Sequence, residues 1–240
     1  MDGYSLGRLL GLVTYLGFKQ HLRLHWYRHC FGQLAHIRWV ALVDDAFIKP
    51  AMTDSVAHCI RSRRTVKDFT GEAVPRDLLA KWTELACWAP THRMTQPWRF
   101  AVLDQTAIAR LGIYLQTEPA IASVPDPTKG AAKLAKLLER LPTLGALIHV
   151  VWERAASPEI DLEEHAAASA AVQNLLLAAH ADGWAGFWST NPALGHPLTG
   201  AWCGYPTNKF GFLGSLWLGK AKVVPPLPAR VPASERVTWL

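Results

Sequence analysis

The interpretation of this sequence starts from the stretch Ala89-Pro90-Thr91-His92-Arg93-Met94-Thr95-Gln96-Pro97-Trp98. It is predicted to join a helix to a strand. The prolines near both ends restrict the backbone, and connecting loops often carry functional side chains. A surface linker has a similar composition, so the segments around the stretch decide its meaning.

Regular elements are predicted on both sides of this loop. Pro75 stands where a first helical residue is favoured. Apolar residues then follow at helical spacing, and the helix ends before Pro90: Leu78, Trp82, Leu85 and Ala86. Residues 100–103 predict a strand, and the apolar run 146–152 predicts a strand buried on both sides.

The remaining elements indicate an α+β fold. Residues 56–62 predict a short helix. Asp161 and Glu164 resemble a capping box, so we expect an alanine-rich helix from His165 to Ala181, ending at Gly183. This helix is apolar almost all round, which is typical of the centre of a fold or a subunit interface. A last strand over 211–219 and an extended proline-rich tail follow, without regular βαβ alternation.

The composition of the chain excludes several classes of protein. The chain has 240 residues, 50% hydrophobic and 18% charged, which excludes disorder, a collagenous repeat and a coiled coil. The net charge of +6 is unevenly placed: residues 1–51 and 52–240 each contribute +3, so the longer part is close to balanced, which argues against a nucleic-acid surface. The four cysteines form no Cys-x-x-Cys pair, so we expect reduced thiols, no metal site and a cytoplasmic location.

Residues 1–51 differ from the rest in being rich in Leu, His, Arg and Trp. Their apolar stretch 6–18 is interrupted by Arg8 and is shorter than the roughly 20 residues of a membrane span. We interpret 1–51 as an extension dispensable for activity, or as sequence upstream of a true start at Met52, and 52–240 as the folded domain. An interfacial membrane helix is the alternative.

Polar clusters stand at the ends of the predicted elements. Arg61-Ser62-Arg63-Arg64-Thr65 combines guanidinium and hydroxyl groups that suit a phosphate, although a solvated basic turn would have the same composition. Trp188-Ser189-Thr190-Asn191-Pro192 predicts a rigid polar turn. The sequence contains no Rossmann, P-loop, Gly-x-Ser-x-Gly or His-Glu-x-x-His motif.

In their order, these clusters resemble a known family. Arg63-Arg64-Thr65, Ala89-Pro90 twenty-five residues beyond Arg64, and Gln96-Pro97-Trp98 before a strand resemble the N-terminal signature of the FMN-dependent nitroreductases. Thr65 replaces the usual Ser and keeps a hydroxyl. The alanine-rich helix, Trp188-Ser189-Thr190 and the glycines of 211–219 resemble the later half, as in the small single-domain bacterial NAD(P)H nitroreductases. The resemblance covers residues 52–240.

The resemblance implies a fold, a cofactor and an assembly. The fold would be α+β, with a mixed or antiparallel central sheet flanked by helices, in an intertwined homodimer with FMN at the subunit interface. Arg63, Arg64 and Thr65 would hold the FMN phosphate and ribityl chain. His92 and Gln96 would reach the flavin from the partner subunit, and Trp188, Ser189 and Thr190 would line its ring. Lys220, Lys222 or Arg230 would complete the phosphate site, with Lys222 favoured.

The implied activity is transfer of hydride from NADH or NADPH through flavin N5 to nitroaromatic, quinone or similar acceptors, by a ping-pong mechanism. A segment associated with the nicotinamide nucleotide in small members corresponds to Ala178, Ala179, His180, Ala181, Asp182 and Gly183. Trp88 and Ser189 stand where small members often carry Arg, which leaves the choice of reductant open. Residues 113–141 predict a mobile lid over the acceptor pocket. The alternative is a non-catalytic flavin sensor or storage protein.

Overall fold

The computed structural model describes residues 52–124 and 126–240. The predictions for residues 1–51 lie outside the described residues. A four-stranded antiparallel sheet in the order β1-β2-β4-β3 forms the centre. Its strands are β1 (Trp98–Leu103), β2 (Ala146–Glu153), β3 (Ala185–Ser189) and β4 (Phe210–Gly219). The α+β prediction is confirmed, and the sheet is antiparallel throughout.

Helices cover both faces of the sheet. They are α1 (Met52–Ser62), α2 (Arg76–Ala86), α3 (Gln105–Thr117), α4 (Pro119–Ala122), α5 (Pro127–Arg140), α6 (Pro158–Ala181) and α7 (Pro197–Trp202). Helices α2 and α6 pack on one face, and α3 and α5 pack on the other. Strand β2 is buried from residue 146 to residue 151, as its apolar run predicts. In the described part of the chain, no helix has the length and hydrophobicity needed to cross a membrane.

Helix α6 begins earlier than the sequence predicts. Its first residue is Pro158, whose fixed φ suits the first turn of a helix. The predicted capping box is therefore wrong: Asp161 lies inside the helix and accepts hydrogen bonds from Trp152 Nε1 and Arg154 Nε, both at 3.0 Å. The predicted end of the helix is confirmed, because Gly183 follows it with a φ of +75°.

Helix α2 confirms the predicted element but buries a different stripe. Leu79, Trp82 and Ala86 are buried, whereas Leu85 is 37% exposed. Leu85 is exposed although it shares the predicted helical spacing, because α2 packs on α6 through Leu79 and Trp82.

The segment 113–141 is mostly helical, which the prediction of a lid did not foresee. It contains the end of α3 and the helices α4 and α5. Pro119 and Pro127 are first residues of helices, where proline is tolerated because its missing N–H has no helical partner. The predicted mobility of the segment stays a prediction.

The predicted polar turn after α6 contains a strand instead. Trp188 and Ser189 are the last residues of β3, which pairs with β4 through the register Trp188↔Leu216 and Ser189↔Ser215. Pairing with β4 supplies the stabilisation that the short segment lacks as an isolated strand. Thr190 follows the strand and is exposed.

Candidate functional site

The segment after α1 runs along the free edge of β3. Thr65 forms a parallel bridge with Gly186, and the Val66 amide donates to the Gly186 carbonyl at 3.2 Å. Farther on, Phe69 forms an antiparallel bridge with Ala221. The backbone therefore fixes the Arg63-Arg64-Thr65 cluster at the sheet edge, beside the chain that leaves β4.

This edge carries a cleft of about 200 Å³, which we call the arginine cleft. It is lined by Arg63, Arg64, Thr65, Pro225, Pro226, Pro228 and Arg230. No carboxylate is among these described lining residues. Burial lowers the pKa of the Arg63 guanidinium, and the charges of Arg64 and Arg230 lower it further. Because like charges repel without a counterion, this arrangement favours an anion with several acceptor oxygens.

The backbone holds the Arg64 side chain in place. Its Nη1 donates to the carbonyl oxygens of Arg61 at 2.6 Å and Arg63 at 2.7 Å. Fixing one nitrogen this way reduces the conformational entropy that a ligand contact would cost.

The three C-terminal basic candidates occupy different places. Arg230 lines the arginine cleft. Lys220 Nζ instead donates to the Gly183 carbonyl at 3.0 Å and lies 4.3 Å from the centroid of the Trp184 ring. The backbone amide of Lys222 donates to the Asp68 carbonyl at 3.0 Å, and its side chain does not line the cleft. The geometry favours Arg230 over Lys222 as the completing residue.

The loop of residues 91–97 has a strained backbone. Arg93, Met94 and Gln96 have φ values of 49°, 58° and 50°. Non-glycine residues adopt this left-handed region at a cost, and such strain persists only where surrounding contacts hold it. The loop must therefore be anchored by its neighbours.

Helix α6 supplies the anchor. Thr95 Oγ1 lies 2.8 Å from Glu164 Oε2, to which it can donate, and Glu164 is only 5% exposed. Within the loop, the Gln96 amide donates to Thr91 Oγ1 at 3.1 Å. The anchored loop leaves the Gln96 side chain exposed beside a cleft of about 550 Å³.

A surface ion pair adds a second attachment of the loop to α6. His92 Nδ1 lies 3.2 Å from Glu163 Oε2, with both side chains about half exposed. His92 and Thr95 thus attach the loop that carries Gln96 near the N-terminal end of α6.

The predicted ring-lining residues are less accessible than the resemblance suggests. Trp188 is half-buried, and its Nε1 donates to the Leu213 carbonyl at 3.1 Å. Ser189 is buried, and its carbonyl accepts from Ser215 Oγ at 3.4 Å. Thr190 alone of the three presents an exposed side chain.

The predicted nicotinamide segment forms the last turn of α6 and its cap. Here His180 Nε2 lies 2.7 Å from Ser62 Oγ of α1. The Asp182 carboxylate is already engaged, because Trp82 Nε1 donates to it at 2.8 Å and Lys81 Nζ at 2.9 Å. The hydrogen bond from Trp82 and that from Lys81 lower the pKa of Asp182.

Within one described chain, the predicted residues form two groups at opposite ends of α6. The arginine cleft and His180 belong to its C-terminal end, and the loop contacts Glu164 near its N-terminal end. At 1.5 Å per residue, Glu164 and His180 lie about 24 Å apart along the helix axis. A single chain does not bring the two groups together.

The structure adds Lys67 to the candidate residues. Its Nζ lies 5.0 Å from the centroid of the Phe187 ring of β3, next to the arginine cleft in sequence and in space. Lys67 stands two residues after Thr65, so in an extended segment both side chains share one side. The position of Lys67 two residues after Thr65 is the sequence feature from which it could have been predicted as a site residue.

The fold is that of nitroreductase-like proteins, a class of oxidoreductases. Residues 60–204 match the model of the Nitroreductase family, and the chain belongs to this family. YfhC of Bacillus subtilis strain 168, which carries the name of an NAD(P)H nitroreductase, is 29% identical over 180 residues, covering 75% of this chain and 91% of YfhC.

Solved structures share the fold. A nitroreductase-like family protein from Bacillus cereus matches with a TM-score of 0.68 and 26% identity, covering 77% of this chain and 95% of that chain. A Desulfovibrio desulfuricans protein, described as a nitroreductase in complex with FMN, matches with a TM-score of 0.56 and 24% identity. The latter match covers 77% of this chain and 96% of that chain.

Proposed function

We propose that this protein is an FMN-dependent oxidoreductase that uses NADH or NADPH to reduce nitroaromatic, quinone or similar electron-poor acceptors by a ping-pong mechanism. The observation that carries the proposal is the arginine cleft at the free edge of β3. Membership of the nitroreductase family and the likeness to YfhC support it.

The residues of the arginine cleft fit the phosphate of FMN. Three guanidinium groups and the Thr65 hydroxyl offer donors to a dianion, and no described carboxylate lines the cleft to oppose it. Arg63, Arg64 and Thr65 would bind the phosphate and ribityl chain, with Arg230 closing the cleft from the C-terminal tail. A bound phosphate would offset the repulsion that lowers the pKa of Arg63.

Other residues of the chain would orient the flavin. When bound, FMN supplies the redox chemistry, because its ring accepts and returns two electrons with a proton. Lys67 places a positive charge beside β3, where it would stabilise negative charge on a reduced ring. Thr190, at the end of β3, and the backbone of Trp188 and Ser189 would flank the same ring.

We also propose that the active unit is a homodimer. The loop with His92 and Gln96 lies about 24 Å along α6 from the His180 end, so it would reach a flavin in the arginine cleft of a second copy rather than its own. Symmetric pairs of chains are the commonest oligomers, and they would give two equivalent sites.

The reductant would approach through the last turn of α6, where Ala178 to Gly183 are the proposed nicotinamide-nucleotide residues. His180 and Ala181 face a cleft there, whereas Ala179 is buried and Asp182 is held by Lys81 and Trp82. The three cysteines of the described part are free, which supports a reducing, cytoplasmic setting.

An absorbance spectrum and a turnover assay test the function. The purified full-length protein should carry flavin absorbance and oxidise NADH or NADPH when a quinone or nitroaromatic compound is added. Colourless protein that cannot be reconstituted with FMN would overturn the proposal. Bound flavin without turnover would instead support a sensor or storage protein on the same scaffold.

A further inference from the structure

A second cleft shares Arg64 with the arginine cleft. It has a volume of about 1070 Å³, and its lining includes His58, Arg61, Ser62, Arg64 and His180. We call it the histidine cleft. Arg63 and Arg230 line only the arginine cleft, whereas His58, Arg61 and His180 line only the histidine cleft. The two clefts therefore offer separate sets of donors that share one guanidinium.

Among the described lining residues of the histidine cleft, the side chains that can carry charge near pH 7 are all basic. No Asp or Glu is among its described lining residues. Asp182 directly follows α6, and its carboxylate is occupied by Lys81 and Trp82. Burial lowers the pKa of His180, and the charges of Arg63, His58 and Arg64 lower it further. The described lining residues thus bring positive groups together with no Asp or Glu among them.

The donor set is that of a phosphate site. Arg61 is exposed, and its guanidinium can donate two parallel hydrogen bonds to one phosphate. Ser62 Oγ and His180 Nε2 lie 2.7 Å apart, so when Nε2–H donates to Ser62 Oγ the Ser62 hydroxyl is free to donate to an anion. Leu227 of the C-terminal tail, Ala181 and Cys59 also line the cleft, so apolar surface lies beside its basic groups.

We propose that the histidine cleft binds a phosphate dianion other than that of the flavin, and that the 2′-phosphate of NADPH is its source. This inference rests on the proposed function for the identity of the reductant. Free inorganic phosphate offers the same chemistry and is the other possible source. In either case His58, Arg61, Ser62 and His180 are the recognising residues.

Calorimetric titration of the FMN-loaded protein with NADP⁺ and NAD⁺ tests the source. We expect NADP⁺ to bind at least about tenfold more tightly, since two charge-assisted contacts are available only to the 2′-phosphate. In the double variant Arg61→Gln/His180→Gln this ratio should fall to about twofold or less. Arg76→Gln, which removes an exposed charge from α2, is the matched control and should keep the wild-type ratio.

NMR titration of the histidine ring protons with inorganic phosphate tests the site itself. A bound dianion should raise the pKa of His180 against the opposing charges of His58, Arg61, Arg63 and Arg64, and Arg61→Gln should reduce that rise. Tighter binding of NADP⁺ than of NAD⁺ supports the 2′-phosphate of NADPH as the source of the bound phosphate. A response to inorganic phosphate without that preference supports free phosphate as the source. Absence of both effects overturns the site. Because this titration needs no flavin, its outcome is independent of a failure to bind FMN.

Discussion

At the scale of single residues, His149 is the least expected side chain of the core. It is 1% exposed, lies in the middle of β2, and its ring centroid is 4.9 Å from that of Phe212. Neither ring nitrogen has a hydrogen-bond partner among the described residues. Burial lowers its pKa to about 4, so the imidazole is neutral in the native protein near pH 7.

His149 should make stability depend on pH between about 4 and 6.5. The unfolded chain takes up a proton near the ordinary pKa of 6.5 and the native chain only near 4, so stability falls as the pH drops through this window. Between pH 8 and pH 5 we expect a loss of about 2 kcal/mol from this residue. In chemical denaturation experiments, His149→Leu should therefore lose about 2 kcal/mol less stability between pH 8 and pH 5 than the wild-type protein does. The wild-type protein should show the full loss, and equal pH dependence in wild type and variant would contradict the account.

Arg63 and Arg64 should dominate retention of FMN. Two charge-assisted contacts of about 1.5–3 kcal/mol each are at stake, so Arg63→Ala/Arg64→Ala should weaken FMN binding by at least roughly a hundredfold. Fluorescence titration of the apoprotein measures this. The double variant Arg76→Ala/Arg110→Ala removes the same charge from exposed helix positions and should bind FMN normally. Comparable affinity in both double variants would refute the assignment.

Gly214 is required by a close approach of Trp188. Its φ is +150°, and a Cβ there would lie 2.2 Å from Trp188 Nε1 and 3.0 Å from the Ser189 carbonyl. Gly204 has a φ of +86° but open space around its Cα. Gly204→Ala should cost about 1–2 kcal/mol through its backbone alone. Gly214→Ala should cost at least about 3 kcal/mol in thermal or chemical unfolding, since the clash adds to the strain. Equal costs would show that the indole moves aside freely.

At the scale of elements, the loop 91–97 depends on its anchor to α6. Thr95→Val removes the donor to the buried Glu164 carboxylate, which should lower the free energy of unfolding by about 1–3 kcal/mol. Thr95→Ser keeps the hydroxyl and should stay within about 0.5 kcal/mol of wild type. Denaturant titration separates the two variants. If Thr95→Val and Thr95→Ser have the same free energy of unfolding, the contact between Thr95 and Glu164 does not stabilise the strained backbone of the loop.

The sequence predicts those elements whose signal is local. The apolar run of β2 and the helical spacing of α2 are complete in themselves, so both elements are confirmed. Strand β3 is short, and only its pairing with β4 distinguishes it from a turn. Pro119 and Pro127 each suggest a loop when the residue is considered alone, yet each begins a helix. Proline is disfavoured inside a helix but is tolerated in its first turn.

The residues of the candidate site can likewise be divided into those that a local sequence pattern predicts and those that it does not. Arg63, Arg64 and Thr65 are adjacent in sequence, so their joint presence in a cleft follows from one short segment. The choice of Arg230 depends on the path of the tail after β4, which no local pattern specifies. The pairing of Ser62 with His180 joins residues 118 positions apart and is equally invisible in the sequence.

At the scale of the whole molecule, the proposed function makes α6 a spacer between two halves of a flavin site. Its C-terminal end carries the arginine and histidine clefts, and its N-terminal part anchors the loop with His92 and Gln96. The exposed apolar residues of the tail, including Val223, Val224 and Trp239, add surface that a second copy could cover. The central claim is therefore that each flavin is held by two chains.

Mixed dimers test this claim most directly. One chain would carry Arg63→Ala/Arg64→Ala and the other His92→Ala/Gln96→Ala, with different affinity tags to isolate the mixed species. Each altered chain alone should bind FMN weakly at every site. In the mixed dimer one site receives intact arginines from one chain and an intact loop from the other, so we expect one FMN per dimer at wild-type affinity. A mixed dimer without any site of wild-type affinity would contradict the account.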